Sequence, residues 1–218
     1  MEEKAKEKKR VTVEIFFRTT FKGILDAMGA YLNKLGIKPN TVTIFGLAGN
    51  FIGAVLLAMG YITAGGIVVF LMGPIDALDG TMARLRGEST SFGGFVDSVT
   101  DRYSELIILL GLLIYFLGIE NSLACLLVYL AASGSVLVSY VKARAEGVGY
   151  SAKVGFLSRL ERYLVLAPAL IIGNTVVVMV ALAIIAFFAN LTALQRVFFV
   201  RQQAYEQWAK NKDKSSLP

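Results

Sequence analysis

Between Thr41 and Val200 the sequence alternates long apolar runs with very short turns, and this alternation constrains the fold more than any other feature. The runs cover residues 41–60, 62–83, 92–117, 123–141, 160–172 and 175–200. A helix of about 20 apolar residues crosses the roughly 30 Å hydrocarbon core of a bilayer. The composition agrees: 56% of residues are hydrophobic and the mean hydropathy is +0.62, against about 45–50% apolar in soluble domains. The expected fold is an all-α membrane protein of six transmembrane helices, preceded by an N-terminal amphipathic interfacial helix.

That first helix is read over 11–36. Phe17, Phe21, Ile24, Leu25, Met28, Leu32 and Leu35 recur at helical steps, with Arg18, Lys22, Asp26, Asn33 and Lys34 off the stripe. Such a pattern suits a helix lying in the membrane interface. Gly36 is placed to cap it and Pro39 to stop it. Residues 1–10 form a charged tail, 37–203 the transmembrane catalytic domain, and 204–218 a C-terminal tail. The turns near 60–63, 118–122 and 173–174 contain no Lys or Arg, whereas all 22 basic residues lie elsewhere. The positive-inside rule then puts both termini on the cytoplasmic side of the cell membrane, with the protein crossing it several times.

Composition also excludes. The net charge of +6 has no soluble basic domain through which to hold nucleic acid, and orientation in a bilayer accounts for it. A single cysteine, Cys125, rules out an intramolecular disulfide. The absence of histidine removes His-ligated metals and His-based catalytic triads.

The chemistry concentrates in the segment Asp76–Asp101, where Asp76/Asp79 and Asp97/Asp101 form two pairs at helical spacing on consecutive spans. Glu105 lies one turn beyond Asp101. A charge near the bilayer centre costs about 2.5–3.5 kcal/mol on insertion scales, and less toward the interface. Clustered carboxylates therefore require a function and a neutralising partner. Oxygen ligands without His or Cys select hard cations. The residues admit Mg²⁺, Mn²⁺ or Ca²⁺, and two divalent cations are expected, Mg²⁺ first with Mn²⁺ as the alternative, an arrangement suited to phosphodiester chemistry. Gly80 and Gly93 leave room beside the aspartates for a ligand or a neighbouring helix.

Filled by Asp76, Asp79, Gly80, Ala83, Arg84, Gly93, Asp97 and Asp101, the pattern D-x-x-D-G-x-x-A-R, eight residues, G-x-x-x-D-x-x-x-D resembles the signature of the CDP-alcohol phosphotransferases. The resemblance implies that a CDP-linked lipid binds by its diphosphate across two metal ions, that an acceptor hydroxyl attacks the lipid-side phosphorus, and that CMP leaves. It implies Asp76, Asp79 and Asp97 as metal ligands, and Asp101 as general base that also touches metal. It sets Gly80, Ala83, Arg84 and Gly93, with Asn40 and Thr41 at the start of the first span, around the nucleotide and its phosphates. It also implies a homodimer.

The acceptor is read from a second, basic cluster. The string S-Y-V-K-A-R-A-E closing the fourth span and the later S-R-L-E-R resemble the inositol-phosphate branch of that family, although the Glu and Pro frequent in that branch are missing here. The resemblance implies Ser139, Lys142, Arg162 and Arg196 as ligands of an acceptor phosphate, and a phosphorylated polyol, inositol 1-phosphate, as the partner of a CDP-diacylglycerol or CDP-archaeol donor. Positive-inside anchoring is the plainer account of these charges, and it weighs most on Arg144 and Arg159. Glycerol 3-phosphate is the alternative acceptor. A cation transporter, the alternative of a different class, is expected to carry its acids near the midplane and to show inverted repeats. A non-catalytic scaffold leaves the acidic cluster without a role.

Overall fold

The computed structural model describes residues 20–88 and 90–215. The charged stretch 1–10 and the beginning of the interfacial helix, with Phe17 and Arg18, lie outside the described residues. Those described form helices α1 (Lys22–Lys34), α2 (Pro39–Ala58), α3 (Ile62–Arg86), α4 (Ser91–Gly118), α5 (Ser122–Gly147), α6 (Arg159–Ile172) and α7 (Thr175–Ser215), with no strand among them.

Four of these are long and apolar enough to cross a membrane: α2, α3, α5 and α7 up to Ala209. The protein is thus a multi-pass membrane protein. The other two long-run helices depart from that standard for different reasons. α4 has 28 residues, but Asp97, Asp101, Arg102 and Glu105 fall within its first 15. α6 has 14 residues and so extends only about 21 Å at 1.5 Å per residue.

Local chemistry explains most boundaries. Gly36, at φ +75°, closes α1: its N–H donates to Asn33 O and that of Ile37 to Leu32 O, the paired bonds of a glycine C-cap. Pro39 then starts α2, where its missing N–H costs nothing. The Thr90 hydroxyl caps α4 by accepting the Gly93 N–H at 3.0 Å. At the start of α6 the Ser158 N–H donates to Glu161 Oε2 at 2.5 Å. α7 does not end near Val200 as the sequence pattern suggested. Between Thr175 and Ser215 there is neither Gly nor Pro, and residues 201–212 are mostly good helix formers. The helix therefore continues into the expected tail as far as Ser215, 41 residues in all, about 60 Å.

Leu57, Val69, Leu109, Leu112, Phe116, Leu170, Leu182 and Ile185 form the buried core. α3 and α6 meet closely at Gly66, where a Cβ would stand 2.6 Å from the Cβ of Leu170. Such small-residue contacts are how membrane helices bring their backbones together. The outer face of α4 is apolar along its length, through Phe92, Phe95, Tyr103, Leu110, Ile114 and Leu117.

α1 is fastened to the same end of the bundle that carries the aspartates. Leu25 and Leu32 pack on Val42, Leu78 and Met82, and Gly29 faces Thr81, Met82 and Leu85. Asn33 Nδ2 donates to Met82 O at 3.2 Å. Arg86 completes the fastening, with Nε donating to Asn33 Oδ1 at 2.7 Å and Nη2 to Ile37 O at 2.6 Å. Ile24, Met28, Tyr31 and Leu35 remain exposed on the other side.

Candidate active site

The C-terminal half of α3 carries Asp76 and Asp79, and the first turns of α4 carry Asp97 and Asp101. The structure brings these four together. Asp76 is within electrostatic range of Asp79 and Asp97, and Asp101 of Asp76 and Asp97. Four like charges repel at this separation, so what holds them determines what the site does.

Asp79, Asp76 and Asp101 are held by neighbouring groups, the last two by the same one. Asp79 is buried, at 6% exposure. Its Oδ2 accepts from the Thr43 hydroxyl of α2 at 2.5 Å and its Oδ1 from the Gly80 N–H at 2.5 Å. Asp76 lies against Gly46 of α2, where any side chain would collide with its Oδ1. Asp101 and Asp76 share one cation: Arg159 of α6 places Nη1 2.6 Å from Asp101 Oδ1 and Nη2 2.9 Å from Asp76 Oδ2. Arg102 adds a longer contact to Asp101 at 3.9 Å. Arg84 donates to the Thr81 hydroxyl at 2.8 Å. Its guanidinium lies over Gly80, where a Cβ would stand 3.4 Å from Nη1, and it is also within electrostatic range of Asp97. Ala83 is half-buried beside it; Asn40, Thr41 and Gly93 are exposed.

The basic residues expected to receive an acceptor phosphate divide into two groups. Arg162 is 2% exposed, and its fork is committed to Glu105, Nε to Oε1 at 2.7 Å and Nη2 to Oε2 at 2.9 Å. Its Nη1 donates to Leu157 O at 3.2 Å. Arg196 donates to the carbonyls of Val154 at 3.0 Å and Val138 at 2.5 Å, joining α7, α5 and the segment before α6. Ser139 is half-buried on α5, and Lys142, nearly one turn on, is exposed.

Sequence reasoning overlooked two contributors and left the role of a third, Arg159, open. Thr43 and Gly46 lie on α2, 36 and 30 residues from the carboxylates they serve, and no spacing rule links them. Arg159 was visible as the partner of Arg162 at i,i+3 on one helix face. The pattern did not reveal that Arg159, one turn nearer the mouth, meets the aspartates whereas Arg162 meets Glu105.

The donor set suits a hard divalent cation: carboxylate and hydroxyl oxygens with no soft ligand. Among the described residues, no three Asp, Glu or Cys side chains converge tightly enough to enclose a metal ion as they stand. The Arg159 guanidinium lies between Asp76 and Asp101 and supplies positive charge there.

The family model described as CDP-alcohol phosphatidyltransferase matches residues 37–208, which include all of these site residues. A phosphatidylinositol phosphate synthase of Mycobacteroides abscessus is 35% identical over 190 residues, covering 84% of this chain and 86% of its own. An archaetidylinositol phosphate synthase of Methanothermobacter thermautotrophicus is 30% identical over 191 residues, 86% of this chain and 93% of its own. Among solved structures, the phosphatidylinositol phosphate synthase of Mycobacterium tuberculosis with CDP-DAG bound superposes with a TM-score of 0.75 at 30% identity, covering 81% of this chain and 93% of that one. The same enzyme in complex with manganese and citrate gives a TM-score of 0.75, over 81% and 88% of the two chains. The chain belongs to the CDP-alcohol phosphatidyltransferase family and is a membrane-bound transferase of phospholipid biosynthesis.

Proposed function

We propose that this transferase moves the lipid-phosphate group of a CDP-lipid onto a hydroxyl of inositol 1-phosphate and releases CMP. The observation that carries the reading is the meeting of four carboxylates from two helices with a basic third helix, α6, at one end of an apolar bundle. The similarity to synthases of phosphatidylinositol phosphate and archaetidylinositol phosphate, over most of both chains, supports the acceptor. The donor is CDP-diacylglycerol or CDP-archaeol, since the relatives include both a phosphatidylinositol phosphate synthase and an archaetidylinositol phosphate synthase.

In this proposal Asp76, Asp79, Asp97 and Asp101 hold two divalent cations, Mg²⁺ or Mn²⁺. Bound there, the cations offset the charge of the diphosphate and of the departing CMP. The chain's own groups do the rest. Gly80 admits the diphosphate close to α3, and Arg84 lies over that surface to meet its oxygens. Ala83, Asn40, Thr41 and Gly93 border the nucleotide. Asp101 takes the proton of the acceptor hydroxyl as it attacks the lipid-side phosphorus. Ser139 and Lys142 receive the acceptor phosphate, while Arg159 stays paired with Asp76 and Asp101 beside them. Arg162 and Arg196, already engaged with Glu105 and with backbone carbonyls, form the wall behind them.

The same proposal covers the membrane arrangement. α4 and α6 join the four long apolar helices to give six spans over 37–203. Their polar ends are sheltered against the site, and the apolar outer face of α4 meets lipid or a second copy in a homodimer. α1 lies in the interface with Ile24, Met28, Tyr31 and Leu35 toward the acyl chains. The charged tail, the C-terminal segment 204–218 and the active site face the cytoplasm, as the distribution of Lys and Arg directs.

An acceptor panel tests this reading. Purified protein is incubated with CDP-diacylglycerol or CDP-archaeol, Mg²⁺ and one acceptor at a time, and CMP is measured. Release with inositol 1-phosphate and little with glycerol 3-phosphate is expected. The opposite preference would make it a phosphatidylglycerophosphate synthase.

A further inference from the structure

Pro74 lies inside α3, two residues before Asp76. A proline has no N–H, so the carbonyl four residues earlier loses its helical partner. That carbonyl belongs to Phe70. In an apolar bundle an unpaired carbonyl is costly, and a neighbouring group normally satisfies it. Here the group is the hydroxyl of Tyr163 on α6, which donates to Phe70 O at 2.5 Å.

The surroundings are shaped to this bond. Gly73 precedes the proline, and a Cβ at that position would run into the Tyr163 ring and hydroxyl. The ring stacks on Phe70, with centroids 6.5 Å apart and planes 11° from parallel. Arg159, Arg162 and Tyr163 stand at i, i+3 and i+4 and so share one face of α6. That face grips Asp76 and Asp101 through Arg159, Glu105 through Arg162, and the interrupted backbone of α3 through Tyr163.

We infer that Tyr163 is a positioning residue for the acidic centre: by closing the gap that Pro74 leaves in α3, its hydroxyl fixes the direction in which the helix leaves the break and hence where Asp76 points. Helices with an interrupted ladder bend at the interruption. The Tyr163 hydroxyl supplies a fixed second support in place of the missing N–H, from the same helix that holds Asp76 by its carboxylate. This inference rests on the proposed role of Asp76 as a metal ligand.

The test compares wild type, Tyr163→Phe, Pro74→Ala and the double variant. Mn²⁺ affinity of the purified protein is read by electron paramagnetic resonance, alongside kcat, KM for the acceptor and melting temperature. Tyr163→Phe keeps the ring, its stacking and the packing on Gly73, and removes only the hydroxyl. It is expected to weaken Mn²⁺ binding and lower kcat about tenfold, as loss of a group that orients a metal ligand does, with KM for the acceptor unchanged. In the double variant, Pro74→Ala restores an N–H to Phe70 O, so Mn²⁺ affinity and kcat recover toward the wild-type values. Wild-type Mn²⁺ affinity and kcat in Tyr163→Phe would overturn the inference, as would a double variant no better than Tyr163→Phe. A lower melting temperature with unchanged Mn²⁺ affinity would reduce Tyr163 to a packing residue. A wild type that binds no Mn²⁺ would remove the metal-site reading itself, and this inference with it.

Discussion

Arg162 and Glu105 form a two-point ion pair between α6 and α4, in which the arginine side chain is 3% exposed and the glutamate side chain 18%. A pair of this kind contributes less when intact than its loss costs, because removing one partner leaves the other charged and unsatisfied. Arg162→Gln is expected to destabilise the protein by about 3–5 kcal/mol, measured by denaturant unfolding in detergent. Glu105→Gln added to Arg162→Gln should recover part of that loss, since two amides leave no isolated charge. Were Arg162 instead a ligand of the acceptor phosphate alone, the single variant would raise KM for inositol 1-phosphate and leave unfolding unchanged.

This pair also marks how far the sequence could be read. Asp76, Asp79, Asp97 and Asp101 were legible because helical spacing, repeated on two consecutive apolar runs, requires them to face one another once the runs pair. The multi-pass, all-helical fold was legible because apolar length and short turns admit little else. The length of α7 was not, because the change from apolar to polar at Val200 marks a change of surroundings and leaves the helix intact. Nor were the roles of Arg159 and Arg162. Two arginines at i,i+3 present the same face, and which acid each meets depends on the depth at which α6 crosses α3, set at Gly66 and by packing across the bundle. Thr43 supports Asp79 from another helix, a tertiary relationship with no local trace.

Metal removal should abolish activity while leaving the fold intact. Arg159 neutralises Asp76 and Asp101 from within the chain, so the acidic centre does not depend on a cation for cohesion. Treatment with EDTA is expected to reduce CMP release to background, and Mg²⁺ or Mn²⁺ to restore it, while the melting temperature of the wild type changes little. In Arg159→Gln the carboxylates lose that internal cation, and EDTA should lower the melting temperature distinctly more than in wild type. Equal sensitivity of the two proteins would show that Arg159 does not serve this purpose.

Asp101→Asn separates catalysis from binding. The amide keeps the shape of the side chain and a hydrogen-bonding oxygen for Arg159, but it does not accept a proton at neutral pH. Loss of a general base costs about 10²–10⁴ in rate, so kcat should fall within that range while CDP-lipid still binds and the protein stays folded. A cation-conducting or scaffolding protein with no transfer chemistry would have no turnover to lose. Asp101→Asn with near wild-type kcat would move the general base elsewhere in the site.

The crossing of α3 and α6 offers a test of packing. At Gly66 an added Cβ would lie 2.6 Å from both the Cβ and the carbonyl carbon of Leu170, and backbone atoms do not yield as a flexible side chain does. Gly66→Ala should therefore force the two helices apart and cost about 1–3 kcal/mol, although the same substitution at an uncrowded helical glycine gains about 0.5–1 kcal/mol. Gly94, on the first turn of α4 with no neighbour within 4 Å of a Cβ, is the matched control. There Ala should be neutral or slightly stabilising. Moving α6 outward also withdraws Arg159 from Asp76, so Gly66→Ala should lose activity per folded molecule as well as stability. If Gly66→Ala and Gly94→Ala unfold alike, close backbone packing at this crossing does not hold α6 to the site.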